Sequence, residues 1–453
     1  MNEIKTYKLL PAILAMGAMS FSGVLIETAM NVTFPTLIKD FGVTTGQVQW
    51  VTTIYLLMIS IIVPLLPYLL KQLSVRTLFV LSNLMFLAGL VTDFYAVNFL
   101  MLLLGRLLQG VGTGIALPLM FHVILSQSPV EKRGTMIGIG TLTTAIAPAI
   151  GPTYGGYLTA ALSWNYIFLF LVPVLILSLG LGLYAIPNET VEKSGVLDGL
   201  SLIGLVLFFS GSLYFLSEPG SRMGLISLII SVLGLVLFIF RSKKVAMPLI
   251  RLSVLRQGDF RLCLVSFLVC QLLLLGLSFV IPTFMQTVQN ESALVAGLTL
   301  CPGAIISAVL LPFSGRILDH VGPRKPIIIG LVVASLGWLG LISVLDNPSI
   351  IGFIIAHVIY MIGSGLCYSN LMTTGMNALK AGDHPDGNAL FNTLQQYAGA
   401  LATALVASIL NIAQQHLPGD FKTVTTIGAQ LGLGVLLILL LLVLYSCIRR
   451  LPA

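Results

Sequence analysis

Long apolar runs alternate with short polar segments along the whole chain. Each run has about 20 or more mainly apolar residues, which is enough for a helix to cross the hydrocarbon core of a bilayer. Backbone groups in lipid need hydrogen-bond partners within their own segment, so we predict helices rather than an open sheet. The fourteen predicted spans are 9–34, 48–70, 77–95, 99–125, 134–158, 165–186, 199–217, 223–240, 260–286, 293–315, 326–345, 349–376, 389–413 and 425–448.

The composition agrees with an integral membrane protein. Of the 453 residues, 57% are hydrophobic and only 9% are charged, whereas soluble domains carry about 25% charged residues. The net charge of +7 comes from basic residues in short loops, so we predict no nucleic-acid partner. The five cysteines lie in or beside apolar runs without metal-ligand spacing, which indicates neither a metal site nor a disulfide framework.

The basic residues predict an orientation. Nineteen of the 23 fall in alternate loops on the side that holds both termini, three fall on the other side, and Arg106 lies within a run. Under the positive-inside rule, both termini are cytoplasmic in a multi-pass protein of the cell membrane. The first run follows Lys5 and Lys8 and is too long for a signal peptide, so we predict an uncleaved first helix.

A weak internal repeat predicts two similar halves. Pro64 and Leu69 lie near the end of the second run and Arg76 follows it, and their spacing recurs 248 residues later, at Pro312, Ile317 and Arg324. Transporter folds built from two halves leave such traces. The predicted fold is all-α, with two six-helix lobes and an inserted helix pair, at 1–187, 246–453 and 188–245 respectively.

Arg106 is the first candidate functional residue. Together with Gln109, Gly110 and Thr113 it follows i, i+3, i+4, i+7 spacing, so the four share one face of the fourth helix. A charged side chain within a membrane costs a few kcal/mol or more and indicates a functional role by default. The alternative is a structural tie between Arg106 and backbone carbonyls.

Glu27 is the other charged residue far from a predicted loop, because the remaining acidic residues fall in loops or near helix ends. Asn31 lies one turn further along the same face. A buried carboxyl near a cation can be tuned to exchange protons. The hypothesis is that Glu27 carries the coupling proton or attracts a cation, and that Arg106 modulates it. The alternative is an inert ion pair between the two.

The fifth run contains Pro148 and Pro152, which bend a helix, and a small-residue face at Gly151 and Gly155, with Gly156 next to it. We predict a kinked, closely packed helix at which two lobes rock. A merely structural kink is the alternative.

The segment Gly315–Lys325 is predicted to be a cytoplasmic loop between the tenth and eleventh helices. Gly315 and Gly322 permit a tight turn, and Asp319 is expected to latch basic groups or helix N-termini near Arg324. A plain basic turn is the alternative.

These motifs resemble the major facilitator superfamily and, within it, the fourteen-helix drug:proton antiporters of the QacA/EmrB type. The matching segments are Glu27-Thr28-x-x-Asn31-Val32-x-x-Pro35, Gln49-Trp50-Val51-Thr52-Thr53-x-Tyr55-Leu56, Arg106-x-x-Gln109-Gly110-x-Gly112, Gly151-Pro152-x-x-Gly155-Gly156, Trp164-x-x-Ile167-Phe168-x-x-x-Val172-Pro173 and Gly315–Lys325. Two departures stand out. Glu27 replaces the usual Asp, and Pro67, Lys71 and Ser74 replace the Gly, Asp and Gly of the first-half gating loop.

The resemblance implies a proton-coupled antiporter that exports lipophilic, cationic or neutral, drug-like compounds. It implies a proton gradient instead of a cofactor, contacts with membrane lipids, a monomer, and a central cavity between the lobes. For each candidate lining residue, helix packing or lipid contact is the alternative. The candidates are Met30, Asn31, Tyr55, Met58, Gln109, Tyr154, Phe284, Met285, Tyr360, Met361, Asn392 and Gln396.

Three other functions are alternatives. An exporter of one specific metabolite or lipid would share this fold and differ only in its lining. A membrane-embedded enzyme would need paired acids, a zinc motif or a nucleophile with its base, whereas the pattern predicts one intramembrane acid. A transport-dead sensor would tolerate loss of Glu27 and Arg106, which are both present. The chain is therefore predicted not to be an enzyme.

Overall fold

A computed structural model describes residues 8–128, 133–189, 191, 196–245 and 248–451. These residues form fourteen long helices, which confirms the all-α prediction, and thirteen of them are long and apolar enough to span a membrane. The other, α5, includes side chains outside the described set, so the total of fourteen spans stays a prediction. The helices are α1 (Leu9–Phe41), α2 (Thr45–Leu69), α3 (Val75–Phe94), α4 (Phe99–Gln127), α5 (Arg133–Ala161), α6 (Tyr166–Ala185), α7 (Gly199–Ser217), α8 (Arg222–Lys244), α9 (Gly258–Thr287), α10 (Ala293–Val321), α11 (Arg324–Val344), α12 (Ile350–Asn377), α13 (His384–His416) and α14 (Phe421–Arg450).

Local sequence signals explain where the helices begin and end. Thr44 and Gln47 form a capping box at the start of α2, with reciprocal hydrogen bonds of 3.2 and 2.9 Å. The side chain of Asn98 accepts a hydrogen bond from the Met101 amide at the start of α4. Gly42 ends α1 in the left-handed conformation, at φ 64°. Helix α1 thus runs to Phe41, beyond its predicted end at residue 34.

The helices pack in two groups with a helix pair beside them. Helices α1 to α6 contact one another, α9 to α14 do the same, and α7 packs on α8, α13 and α2. Large apolar side chains such as Leu177, Leu233 and Ile351 are exposed on the outside of the bundle, as expected for lipid-facing surfaces. The predicted boundaries at 187/188 and 245/246 lie next to residues outside the described ranges and stay predictions.

The chain places most of its basic residues at the end of the bundle where α1 begins, which we call the basic end. The opposite end, called the far end, carries Lys39, Arg222 and Lys422. Described basic-end residues are Lys8, Lys71, Arg76, Arg241, Lys243, Lys244, Arg251, Arg256, Arg261, Arg316, Arg324, Lys325, Lys380, Arg449 and Arg450. Lys5, Lys132 and Lys193, which the sequence also assigns to this side, lie outside the described residues.

Polar contacts join the two groups of helices toward the far end. Thr45 donates a 3.0 Å hydrogen bond to Gln414, and the Thr53 and Thr403 hydroxyls lie 3.2 Å apart. On the other side of the bundle, Gln286 of α9 donates a 2.7 Å hydrogen bond to a backbone carbonyl of α1. These contacts hold the far ends of the lobes together.

The two lobes repeat the same close helix packing. A Cβ on Gly89 of α3 would lie 3.0 Å from the backbone nitrogen of Gln109 in α4. In the second lobe, a Cβ on Gly337 of α11 would lie 2.2 Å from the backbone nitrogen of Tyr360 in α12. The pairs are related by offsets of 248 residues for α3 and α11 and 251 residues for α4 and α12.

A second pair of contacts gives the same offsets. A Cβ on Gly112 would lie 2.6 Å from the carbonyl oxygen of Ser82, and one on Gly363 would lie 2.5 Å from that of Gly330. The 248-residue offset of the sequence repeat therefore recurs in the packing of α3 and α11. Equivalent positions follow from these offsets: Asp93 and Leu341, Gly105 and Ala356, Arg106 and His357.

Candidate functional site

Arg106 lies fully buried in α4 and is held from three sides. Its Nε donates a 2.9 Å hydrogen bond to the Val51 carbonyl, and its Nη1 donates one of 2.7 Å to Oε1 of Gln109. The guanidinium carbon lies 4.2 Å from the centre of the Tyr55 ring, a cation–π contact. The hydrogen bond to the Val51 carbonyl is the structural tie that is the alternative role of Arg106. It is one contact within a larger polar network.

Asp93 is the next member of this network. The amide nitrogen of Gln109 donates a 2.7 Å hydrogen bond to Oδ2 of Asp93, whose side chain is fully buried. The prediction of a single intramembrane acid was therefore wrong. Asp93 falls in the last turn of α3, where side chains usually reach water, but α4 covers it: a Cβ on Gly105 would lie 1.8 Å from Oδ1 of Asp93.

Glu27 lies in α1, on the side of the network that is least enclosed. It is 7% exposed, whereas Arg106 and Asp93 are fully buried. Glu27 and Arg106 form no direct ion pair in this structure, and the role of Glu27 in proton coupling stays a prediction. The Glu27 carboxylate is attracted at longer range by the Arg106 guanidinium, and it lies within electrostatic range of Tyr55 and of Tyr368 in the second lobe.

Hydroxyl and amide groups tie α1, α2 and α4 together around these charges. Tyr55 donates a 3.0 Å hydrogen bond to the Thr113 hydroxyl, and Thr52 donates one of 2.9 Å to Oδ1 of Asn31. The amide nitrogen of Asn31 is buried and has no partner among the described residues. Asn31 is thus tied to α2 through Thr52, and Gln109 is tied to α2 through Arg106.

Helix α5 presents its glycines to both lobes. A Cβ on Gly151 would lie 1.9 Å from the hydroxyl oxygen of Thr28, and one on Gly155 would lie 2.4 Å from a backbone oxygen of α1. A Cβ on Gly156 would lie 2.3 Å from a backbone oxygen of α10. Pro148 and Pro152 lie inside one continuous helix. The close packing is as expected, and the rocking role of α5 stays a prediction.

The predicted gating loop is mostly helical. Helix α10 continues to Val321, so Gly315 and Asp319 are helical, and the turn consists of Gly322, at φ 76°, and Pro323. Asp319 is exposed and forms no hydrogen bond or ion pair among the described residues. Arg324 instead donates a 3.0 Å hydrogen bond to a backbone carbonyl at the end of α14. The loop boundaries were therefore wrong, and the expected latch through Asp319 is not formed in this structure.

Several predicted lining residues pack between helices. Phe284 contacts the Phe353 ring and Tyr360 contacts the Trp338 ring, with centroids 6.0 and 5.1 Å apart. Buried members of the set are Met30, Asn31, Tyr55, Gln109, Phe284, Met285, Tyr360 and Met361. Half-buried members are Met58, Tyr154, Asn392 and Gln396. Helix packing thus explains Phe284 and Tyr360 in this structure, and substrate binding by the set stays a prediction.

The second lobe has an uncharged polar group that sequence reasoning missed. Tyr368 donates a 2.5 Å hydrogen bond to Oε1 of Gln271 and accepts one of 2.8 Å from the Gln395 amide. Its ring stacks on Phe267, with centroids 4.4 Å apart. Gln271 is the one amide side chain in the middle of the apolar run 260–286, and this signal could have found the group.

Of the two lobes, only the first has buried charged residues among those the structure describes. Glu27, Asp93 and Arg106 are buried there, whereas the described residues from 248 to 451 include no buried Asp, Glu, Lys or Arg. His357, at the position equivalent to Arg106, is buried, and its Nδ1 has no hydrogen-bond partner among the described residues.

The sequence profile of the Major Facilitator Superfamily matches residues 16–403. The chain belongs to the major facilitator superfamily. A lincomycin resistance protein, LmrB of Listeria innocua, is 34% identical over 411 residues, covering 90% of this chain and 87% of the relative. The transporter YcnB of Bacillus subtilis is 33% identical over 402 residues, covering 88% and 85%. The colistin resistance protein EmrB of Acinetobacter baumannii is 27% identical, covering 81% and 73%.

Solved structures agree on the fold of this major facilitator protein. A partially occluded, inward-open structure of the xylose transporter XylE from E. coli aligns with a TM-score of 0.65 at 13% identity, covering 98% of this chain and all of the other. At this identity the likeness concerns the fold alone. The resemblance to the QacA/EmrB type is confirmed, and the protein is a multi-pass membrane transporter rather than an enzyme.

Proposed function

We propose that this transporter exports lipophilic, cationic or neutral, drug-like compounds across the cytoplasmic membrane in exchange for protons. Relatives named for resistance to lincomycin and colistin support this substrate class. The lobes rock against each other, so that the centre opens to one side of the membrane at a time. Export in this scheme draws on the proton gradient and on no bound cofactor, and a single chain carries it out.

The observation that carries the proposal is the setting of Glu27. Its side chain is 7% exposed, whereas that of Arg106 is fully buried. Its carboxylate is attracted by the Arg106 guanidinium in its own lobe and lies within electrostatic range of Tyr368 in the other lobe. A carboxyl between two lobes is suited to bind a proton in one state and a cationic substrate in another.

The polar group of the second lobe supports a lipophilic substrate. The Tyr368 ring, stacked on Phe267, offers aromatic surface for an apolar or cationic compound. The amides of Gln271 and Gln395 add neutral hydrogen-bonding groups beside it. An apolar site with a few convergent polar groups is the usual form of a small-molecule site.

The basic end is assigned to the cytoplasm by the positive-inside rule, with both termini on that side. The contacts that join the lobes lie toward the far end, for example between Thr45 and Gln414. These contacts support an assignment of this structure to a state whose centre is closed toward the outside.

The proposal is tested with purified transporter in proteoliposomes under an imposed pH gradient. The wild type is expected to accumulate tetraphenylphosphonium and a neutral lipophilic dye against their gradients, and Glu27→Gln is expected to lose this accumulation because its side chain cannot bind and release a proton. Glu218→Gln is the matched control, since Glu218 is exposed after α7.

Accumulation by Glu27→Gln at the wild-type rate would rule out the assigned coupling residue. Transport of one compound only, out of a panel of unrelated lipophilic compounds, would favour an exporter of one specific metabolite or lipid.

A further inference from the structure

Asp93 is the buried end of a hydrogen-bonded chain that begins at Arg106. Arg106 donates to Gln109 and Gln109 donates to Asp93, each over 2.7 Å. Oδ1 of Asp93 and Nη2 of Arg106 have no hydrogen-bond partner among the described residues. Buried charged groups with unused hydrogen-bonding atoms are costly. The proposed function uses Glu27 and Arg106 and leaves Asp93 without a role.

The packing of the fold does not require a carboxyl at this position. The equivalent residue of α11 is Leu341, which is fully buried in the same kind of helix contact. The first lobe therefore carries an acid where the second lobe carries an apolar side chain. The difference lies in charge and proton binding rather than in the space to be filled.

Glu27, Arg106 and Asp93 form one buried group, and the sum of their charges explains what a second acid adds. Glu27 and Arg106 alone are neutral when both are ionised, so that pair holds no proton that an incoming cation could displace. With Asp93 ionised as well, the group carries one net negative charge. Excess charge in a low-dielectric interior is strongly unfavourable. The group of three is therefore neutral with one bound proton or with one bound monovalent cation.

We propose that Asp93 is a second proton-binding site, through which a proton and a cationic substrate become alternative occupants of the same buried group. This inference rests on the proposed function. Without substrate, the two carboxyls hold one proton between them. When a monovalent cation binds beside Glu27, that proton leaves to water, both carboxylates are ionised, and Arg106 balances Asp93. When the cation leaves, one proton returns from water.

The charged and titratable neighbours of Asp93 fit this scheme. From α4, Arg106 faces it through Gln109. From α6, which also packs on α3, the titratable side chain near this end is Tyr166, whose ring contacts Phe94. Arg106 is in turn faced by Glu27 of α1, and Glu27 by Tyr55 and Tyr368 of α2 and α12. Arg106 is thus the cation that both carboxyls share.

The test measures binding rather than transport. Purified transporter in lipid nanodiscs is titrated with tetraphenylphosphonium at a series of pH values in weak buffer. Wild-type affinity is expected to fall about tenfold per pH unit once the pH is low enough for a proton to occupy the group, with about one proton released per bound cation. Asp93→Asn keeps an oxygen that accepts from Gln109 but has no charge, so its affinity is expected to be independent of pH and its proton release near zero.

If Asp93→Asn does not fold, the second variant is Asp93→Leu, which carries the residue type found at the equivalent position of the second lobe, Leu341. Asp346→Asn, which changes an exposed acid just after α11, is expected to behave as the wild type. Wild-type pH dependence and proton release in either Asp93 variant would overturn the inference, because the carboxyl would then be structural only.

The Glu27→Gln variant distinguishes failure of the proposed function from failure of the inference about Asp93. Loss of cation binding in Glu27→Gln supports the proposed function. If Glu27→Gln instead binds the cation like the wild type while the Asp93 variants lose proton release, then Glu27 is wrongly assigned and Asp93 stands. If the wild type binds no tetraphenylphosphonium, the proposed cationic substrates fail, and the inference about Asp93 fails with them.

Discussion

The two lobes share a packing frame but differ in the chemistry at its centre. In the first lobe the equivalent positions of the frame hold Asp93 and Arg106, and in the second lobe they hold Leu341 and His357. The ring of Tyr55 packs on Arg106 in the first lobe. The second lobe instead gathers Tyr368 and two glutamine amides.

This difference separates what the fold needs from what the function needs. The second lobe packs closely without buried acids or guanidinium groups among its described residues, so the charges of the first lobe are not needed for helix packing. Burying them costs free energy. We therefore assign proton chemistry to the first lobe and much of the contact with lipophilic substrate to the second.

The largest expected effect comes from changing the pair Arg106 and His357. Arg106→Leu removes the cation that balances two buried carboxyls, and we expect a loss of about 3–5 kcal/mol in unfolding free energy together with loss of proton-driven uptake. His357→Leu removes an imidazole with an unpartnered nitrogen, so stability should be unchanged or slightly higher. Thermal unfolding in the same detergent measures both. Equal losses of unfolding free energy in the two variants would contradict the assignment of the buried charges to the first lobe.

A smaller effect is expected from Gly105→Ala, which copies Ala356 of the second lobe. The added Cβ would lie 1.8 Å from Oδ1 of Asp93 and 2.9 Å from the Gly89 carbonyl oxygen. Displacing Asp93 should cost about 1–3 kcal/mol and weaken proton coupling. Gly434→Ala is the control, because a Cβ there meets nothing within 4 Å. If both alanine variants unfold at the wild-type temperature and couple normally, Asp93 is less constrained than its contacts indicate.

The smallest effect is expected outside both lobes, at the ion pair of Asp198 and Arg241, 2.8 Å apart beside α7 and α8. Burial raises the pKa of Asp198, but hydrogen bonds from Arg241 and Ser201 lower it more, so its pKa lies below the usual value. The pair's stabilisation is then complete above the unfolded-state pKa of about 4 and is lost as the pH falls through the lower folded-state pKa.

Asp198→Asn should therefore lower the unfolding free energy by about 1 kcal/mol or less near neutral pH, and the difference from wild type should vanish in acid. Transport at neutral pH should not change. A difference in stability that persists at the lowest pH would show that Asp198 acts through packing instead of charge.

The sequence predicted the helices and two of the three buried charged residues of the first lobe for a simple physical reason. A charged residue in the middle of an apolar run has no route to water, so Glu27 and Arg106 could be recognised from position alone. The spacing of Arg106 and Gln109 also predicted a shared face, and the two are hydrogen-bonded.

Other features depend on contacts that no local pattern contains. Asp93 is buried because Gly105 lets α3 and α4 approach closely, and neither residue reveals this alone. Gly315 suggested a turn, so Asp319 was predicted to lie in a loop. Glycine is tolerated within a helix, however, and α10 continues to Val321. The group of Gln271, Tyr368 and Gln395 brings together three distant parts of the chain.

The central claim is that proton coupling resides in the first lobe alone. The most direct test counts the protons moved per substrate molecule in proteoliposomes for the wild type, Glu27→Gln and His357→Leu. We expect Glu27→Gln to move no protons with a neutral substrate and His357→Leu to keep the wild-type ratio. Wild-type coupling in Glu27→Gln, or its loss in His357→Leu, would contradict the account.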